Sequence, residues 1–213
     1  NTRIRFTTSN PQDMDDDVLY TMAKYNNICN HIHLPVQSGS DQILKKMNRK
    51  HTVFEYLNLV KKIKKILPDC SISQDMITGF PDETEDDHFA TLNLMDNVKY
   101  DFGFMFKYSE RPGTLAARKL TDTVPEEIKK RRLSEIIDLQ LKHSFENLSK
   151  YIGKKVEVLI EKESKKSADH WAGRNPQNII VVFPKKNYLM GEYATVKIIN
   201  HTSTTLIGEV IIA

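Results

Sequence analysis

Two patterns of apolar and polar positions follow one another along this chain. Up to about residue 150, short apolar runs alternate with stretches of helical period, and beyond it only short β-rich runs occur. "RIRFTT" (residues 3–8) alternates Ile4 and Phe6 and stops at Ser9-Asn10-Pro11, which predicts a strand ending in a turn. Residues 13–25 place Met14, Val18, Leu19 and Met22 on one face, with acids in the first turn, as an amphipathic helix does. A strand over 30–36, a short helix over 41–47 and a strong helix over 53–67 follow. Pro68 and Asp69 stop the last of these. A third strand over 71–77 runs into "TGFPDET", where Thr84 is placed to cap a helix. Asp87 stands three residues on, and Phe89, Leu92 and Met95 form the expected buried stripe. The fourth strand, 102–108, leads through "SERPGTLAA" to a long charged helix over 125–150.

Strands that alternate with helices in this way predict an α/β fold with a parallel βα array, barrel-like or doubly wound. Four units do not close a barrel. Asn1 leads directly into a strand, so we expect the chain to be the back part of a longer polypeptide. From Tyr151 the runs "KKVEVLIEK", "NIIVVF", "YATVKII" and "TLIGEVII" are split by Gly, Asn, Pro and Lys. They suggest a small, nearly closed β-barrel of the kind that carries oligonucleotides. The expected division is 1–150 and 151–213, with the boundary near 148–154.

Composition narrows the picture only a little. With 213 residues, 39% hydrophobic and 28% charged, the chain is an ordinary globular one, and no apolar run is long enough for a membrane span. Cys29 and Cys70 fit neither a disulfide framework nor a close metal spacing, which makes a reducing cytoplasm the default location. Lys+Arg and Asp+Glu balance over residues 1–150, so the net charge of +3 lies in the tail. That is a mild pointer to a polyanionic partner.

Ligands of parallel βα folds lie at the carboxyl ends of the strands. The ends here, "TTSNP", "VQSGSD", "TGFPDET" and "YSERPGT", are rich in small polar residues, Gly and Pro. They suit a ligand with hydroxyl, amide and ring-nitrogen groups better than a bare phosphate, and no Gly-rich phosphate loop is present. Gln37 and Ser38 either hold such a ligand or form a plain polar turn before a capped helix. Asp75, inside an otherwise apolar strand, must be paired or face a polar site. Arg49 is placed to meet a ligand carboxylate, or is simply solvated. His31 and His33 share one side of a strand, but no third ligand accompanies them, so no metal site is assigned. In the tail, "WAGRNPQN" sets Arg174 and Asn175 at a turn beside the only tryptophan. Lys185 and Lys186 stand on the next turn, as RNA contacts or as solvated surface.

Taken together, "HLPVQSGSD", "MNRKHT", "DMITGFPDET" and "YSERPGTLAA" resemble, in order and spacing, the barrel of the radical S-adenosylmethionine methylthiotransferases. The tail with "AGRN" resembles their TRAM domain. The resemblance implies a partial TIM-like barrel followed by an RNA-binding β-barrel. It also implies an enzyme that inserts sulfur and a methyl group at carbon 2 of an adenosine beside the anticodon. The proline of "LPVQSGS" and the run "SERPGT" favour the branch acting on isopentenyl-modified adenosine over those acting on threonylcarbamoyl-adenosine or a ribosomal protein. Its cofactors are S-adenosylmethionine and two [4Fe–4S] clusters. The cluster-binding C-x-x-x-C-x-x-C loop is absent here, so this chain by itself is expected to bind no cluster and to catalyse nothing.

On the same resemblance, Gln37, Ser38 and Asp75 line the S-adenosylmethionine pocket, with Arg49 beside them. Ile77 and Gly79 pack near the adenine, and Phe106 and Tyr108 meet its edge. Arg111 stands at the mouth where RNA enters, and Arg174, Asn175, Lys185 and Lys186 hold RNA. The implied partners are a tRNA anticodon stem-loop and an electron donor such as flavodoxin or ferredoxin, for a cytoplasmic monomer. Two other readings stand beside this one, a non-catalytic RNA-binding module and a βα-barrel enzyme of small metabolites.

Overall fold

The computed structural model describes residues 2–7 and 10–211, which form two units joined by a long helix. In the first unit, β1 (His31–His33), β2 (Ser71–Thr78) and β3 (Phe102–Lys107) make a parallel sheet in that order. Its helices are α1 (Asp16–Lys24), α2 (Asp41–Lys46), α3 (Val53–Ile66), α4 (Glu85–Val98), α5 (Leu115–Lys119) and α6 (Glu126–Ser149). The two-residue period of β2 splits its side chains. Ile72 and Met76 join Leu19, Tyr56, Ile63 and Leu94 in the core under the helices. Ser73, Asp75 and Ile77 point to the other face, in register with Phe102, Phe104 and Phe106 of β3. That face stays partly open, with Phe104 and Phe106 about half exposed.

Local chemistry sets the helix starts. Thr52 and Glu55 form a reciprocal capping box at α3, and Thr84 and Asp87 form the one expected at α4. Such a cap is worth about 1 kcal/mol. The expected apolar stripe of α4 needs correction. Phe89 is exposed, and the buried face consists of Asp87, His88, Thr91, Leu94, Met95 and Val98. Polar members of that face carry hydrogen bonds, so hydropathy alone misplaced it: His88 meets Glu135 of α6, and Thr91 accepts the Gly39 N–H. The expected first strand is reduced, among the described residues, to a single bridge between Ile4 and Ile28. Thr8 and Ser9 of that tip lie outside the described residues.

The second unit is a closed barrel of β4 (Lys155–Ser164), β5 (Ser167–Arg174), β6 (Ile180–Pro184), β7 (Tyr193–His201) and β8 (Thr205–Val210), in the order β4-β5-β6-β8-β7. Val158, Ile160, Val181, Phe183, Val196, Ile198 and Leu206 fill it. Closure leaves no free strand edge. The sequence offered four β-rich runs, and the fifth strand is β5, "SADHWAGR". Its small and polar residues hide it from a hydropathy pattern. Gly173 is required there because a Cβ would stand 2.1 Å from the Leu159 carbonyl oxygen.

Backbone carbonyls of the β5–β6 turn fasten the two units together. Arg3 Nη1 donates to Arg174 O at 2.8 Å, Arg5 Nη2 to Asn175 O at 2.7 Å, and Ser71 Oγ to Gln177 O at 2.6 Å. The α6 helix completes the joint, with Phe145 packed on His201 at 4.4 Å between ring centroids and Leu148 in the barrel core.

Candidate functional site

The tips of β2 and β3 and the end of α2 line two adjoining cavities of about 380 and 210 Å³ that share Ile77, Phe80, Thr114 and Ala116. Phe106, Tyr108 and Arg111 line the first, and Arg49 lines the second. Arg49 lies within electrostatic reach of Asp75; burial lowers its pKa and the Asp75 charge opposes that shift. Gln37 extends β1 toward β2: its N–H donates to Asp75 O at 3.0 Å, and its carbonyl accepts the Ile77 N–H at 2.9 Å. It does so at φ +77°, a left-handed conformation uncommon for a residue with a side chain. This kink ends the strand and turns the chain into the helix that follows.

Ser38 behaves differently from the expectation. It is fully buried and turned toward α4, where its Oγ lies 3.5 Å from Thr91 Oγ1 and accepts the Ser40 N–H. Gly39 packs so closely on α4 that a Cβ would meet Ala90 O at 2.5 Å. Ser38 and Gly39 therefore shape the turn from behind, and Gln37 is the residue of this motif nearest the strand tips.

Gly79 sits at φ +71°, and a Cβ there would stand 2.4 Å from Lys129 Cγ. Its N–H donates to Glu83 Oε2 at 2.6 Å, and Glu83 is clamped by Arg132 Nη1 at 2.8 Å. Both side chains of this ion pair are nearly fully buried. Burial raises the Glu83 carboxyl above its usual range, while the Gly79 N–H and Arg132 draw it down. Lys129 covers the turn and lies 5.4 Å from the Tyr108 ring, which packs edge-on against Phe80. The backbone of the site is thus held by α6 through Arg132 and Lys129, which the sequence did not single out.

On the same face of the sheet as Phe104 and Phe106 runs a polar chain whose His31 and Ser73 are buried. His31 Nε2 and His33 Nδ1 each lie 2.9 Å from Ser73 Oγ, and His33 Nε2 lies 3.4 Å from Asp75 Oδ1. Burial lowers the His31 pKa to about 4, with Arg5, His33 and Arg174 adding to the effect. The two histidines therefore share Ser73 as hydrogen-bond partner, and His33 also lies against Asp75. Ser73, in the middle of a buried strand, was the available signal for it.

The tail residues separate into two groups. Arg174 pairs with Glu161, while its carbonyl receives Arg3. Asn175 is fully buried, its Oδ1 accepting the Ile179 N–H at 2.9 Å, which corrects its expected place on an RNA-facing surface. Lys185 pairs with Glu163 and lies 4.5 Å over the Trp171 ring, and Lys186 is exposed. No group of three or more His, Cys, Asp or Glu able to hold a metal occurs among the described residues. Both cysteines are buried, and burial pushes the Cys70 thiol up to about 12, away from the thiolate that a metal requires. Among the described residues no helix is long and apolar enough to cross a membrane.

Residues 1–95 match the model of the radical SAM superfamily, and residues 149–211 match that of the TRAM domain. The chain is 66% identical over 207 residues to a tRNA-2-methylthio-N(6)-dimethylallyladenosine synthase of Christiangramia forsetii, an alignment covering 97% of this chain and 43% of the relative. It is 62% identical over 209 residues to a synthase of the same name from Flavobacterium johnsoniae, covering 98% and 44%. The chain spans less than half the length of these curated relatives. Among solved structures, coproporphyrinogen III oxidase from Escherichia coli, a radical SAM enzyme, shares the fold. Its TM-score is 0.54 over 78% of this chain and 45% of that one, at 17% identity.

Proposed function

We infer, from the matches of residues 1–95 to the radical SAM superfamily and of residues 149–211 to the TRAM domain, that the chain forms one wall of a cofactor pocket and the RNA grip of a tRNA methylthiotransferase. The proposed reaction places a methylthio group on carbon 2 of an isopentenyl-modified adenosine beside the anticodon, as the names of its relatives suggest. The observation that carries the reading is the pair of adjoining cavities at the tips of β2 and β3, in a chain that also holds a domain matched as TRAM. The proposed division between the units lies near residue 150, between α6 and β4. The remaining partners of the reading are an electron-donor protein, in a cytoplasmic monomer.

The fit to S-adenosylmethionine rests on the chemistry of the tips. Phe80, Phe106 and Tyr108 offer ring surface, Ile77 an apolar floor, and the Gly79 turn a backbone bare of side chain. Asp75 and Gln37 suit the ribose hydroxyls or the ammonium group, and Arg49 suits the carboxylate of the methionine part. When bound, S-adenosylmethionine supplies the radical and methyl chemistry. This chain's residues orient it: α6 fixes the Gly79 turn through Glu83, and His33 lies against Asp75. The described residues do not fit an iron–sulfur cluster, so cluster chemistry is not assigned to them.

The complete polypeptide, reconstituted anaerobically with iron and sulfide, tests the function. Incubation with tRNA lacking the modification should convert its isopentenyl-adenosine to the methylthio form, read by mass spectrometry of the nucleosides. Cofactor turnover without a methylthio nucleoside in tRNA would contradict the reading.

A further inference from the structure

Strand direction divides the barrel into two rims. The β4–β5, β4–β7, β5–β6 and β7–β8 pairs are antiparallel and β6–β8 is parallel, so successive connections alternate between opposite rims. The β5–β6 turn (175–179) and the β7–β8 turn (202–204) share one rim. That rim faces the βα unit, which binds the first turn through Arg5 and Ser71 and packs Phe145 on His201 beside the second. Neither turn contains a charged residue.

The other rim carries the β4–β5 turn, with Lys165 and Lys166, and the β6–β7 loop (185–192), with Lys185 and Lys186. Its loop is hydrogen-bonded: Leu189 N–H donates to Glu192 Oε2 and Gly191 N–H to Ile160 O, each at 2.8 Å. Yet the same loop leaves Leu189 69% and Met190 67% exposed. Apolar side chains left in water beside lysines call for a partner that is both anionic and apolar-faced. Asp169 and Glu192 are the nearby acids, and Glu163 is already paired with Lys185. Single-stranded RNA meets that description, with phosphates for the lysines and unstacked base faces for the apolar pair.

We propose that the free rim, through Lys165, Lys166, Lys185, Lys186, Leu189 and Met190, is the RNA-binding surface of the barrel, and that the "AGRNPQ" turn is its docking surface on the βα unit. This inference rests on the RNA reading above and deepens it. Arg174 and Asn175 then serve RNA only indirectly, by fixing where the grip stands relative to the pocket.

Fluorescence anisotropy of a labelled anticodon stem-loop RNA, titrated with this chain at several salt concentrations, tests the assignment. Lys165→Ala/Lys166→Ala should bind roughly tenfold more weakly, with a salt slope shallower by about 1.4 if each lysine meets one phosphate of a single strand. Leu189→Ser/Met190→Ser should weaken binding with the salt slope unchanged, while Arg174→Ala should leave it near wild type. Circular dichroism identifies any variant that fails to fold. If folded rim variants bind like wild type while Arg174→Ala binds weakly, the rim assignment fails and the RNA reading stands. If the unaltered chain binds no RNA even at low salt, both fail.

Discussion

The βα unit and the barrel handle polar turns in opposite ways. In the βα unit the turn backbone is shaped by buried side chains: Glu83 and Arg132 hold Gly79, and Ser38 lies against Thr91 of α4. The tip residues left half-open, among them Asp75, Ile77, Phe106 and Tyr108, are consequently the ones available to a ligand. In the barrel a closed hydrogen-bonded wall supplies the rigidity, so its turns are freed for contacts. One rim is used for docking and the other stays in water. An open sheet needs internal clamps to build a site, whereas a closed barrel needs only loops.

The largest effect should come from breaking the clamp of the βα unit. Arg132→Met leaves the Glu83 carboxylate buried without its cation and should destabilise that unit by roughly 3–5 kcal/mol in chemical denaturation. The sign of its pH dependence follows from burial. The folded-state pKa of Glu83 is already raised, and losing Arg132 raises it further. The variant's stability should therefore be best below the ordinary carboxylate pKa and fall as pH rises through the raised value. A pH-independent loss would show that Glu83 does not depend on Arg132.

A smaller effect is expected at the joint. Arg5→Ala removes a charged hydrogen bond to the β5–β6 turn and should cost about 1.5–3 kcal/mol of docking. Hydrogen exchange should accelerate at residues 174–179, while the barrel strands stay protected. Uniform acceleration throughout the barrel would mean that the two units fold as one and that the contrast drawn between them is false.

Much of this organisation was legible in the sequence, and the exceptions share a cause. Alternating periods revealed the parallel array, and the Thr84–Asp87 spacing revealed a cap, because both depend on near neighbours in the chain. Ser38 could not be oriented from sequence, since whether its hydroxyl faces a ligand or a helix depends on Thr91, more than fifty residues away. The stripe of α4 failed for the same reason: Phe89 is apolar but exposed, while His88 is buried because Glu135 awaits it. The strand β5 was invisible because a barrel wall needs small residues such as Gly173 where chains approach closely. Asn175 read as a surface contact because its turn composition resembles that of any exposed loop. Its burial follows from its own bond to Ile179 and from a docking partner at the far end of the sequence.

The central claim is that the β-strand tips form a wall of the S-adenosylmethionine pocket, and equilibrium dialysis of that cofactor against the complete, cluster-loaded polypeptide tests it most directly. Asp75→Asn should weaken binding by roughly ten- to a hundredfold, the effect of losing one charged hydrogen bond. Wild-type affinity in that variant would contradict the account.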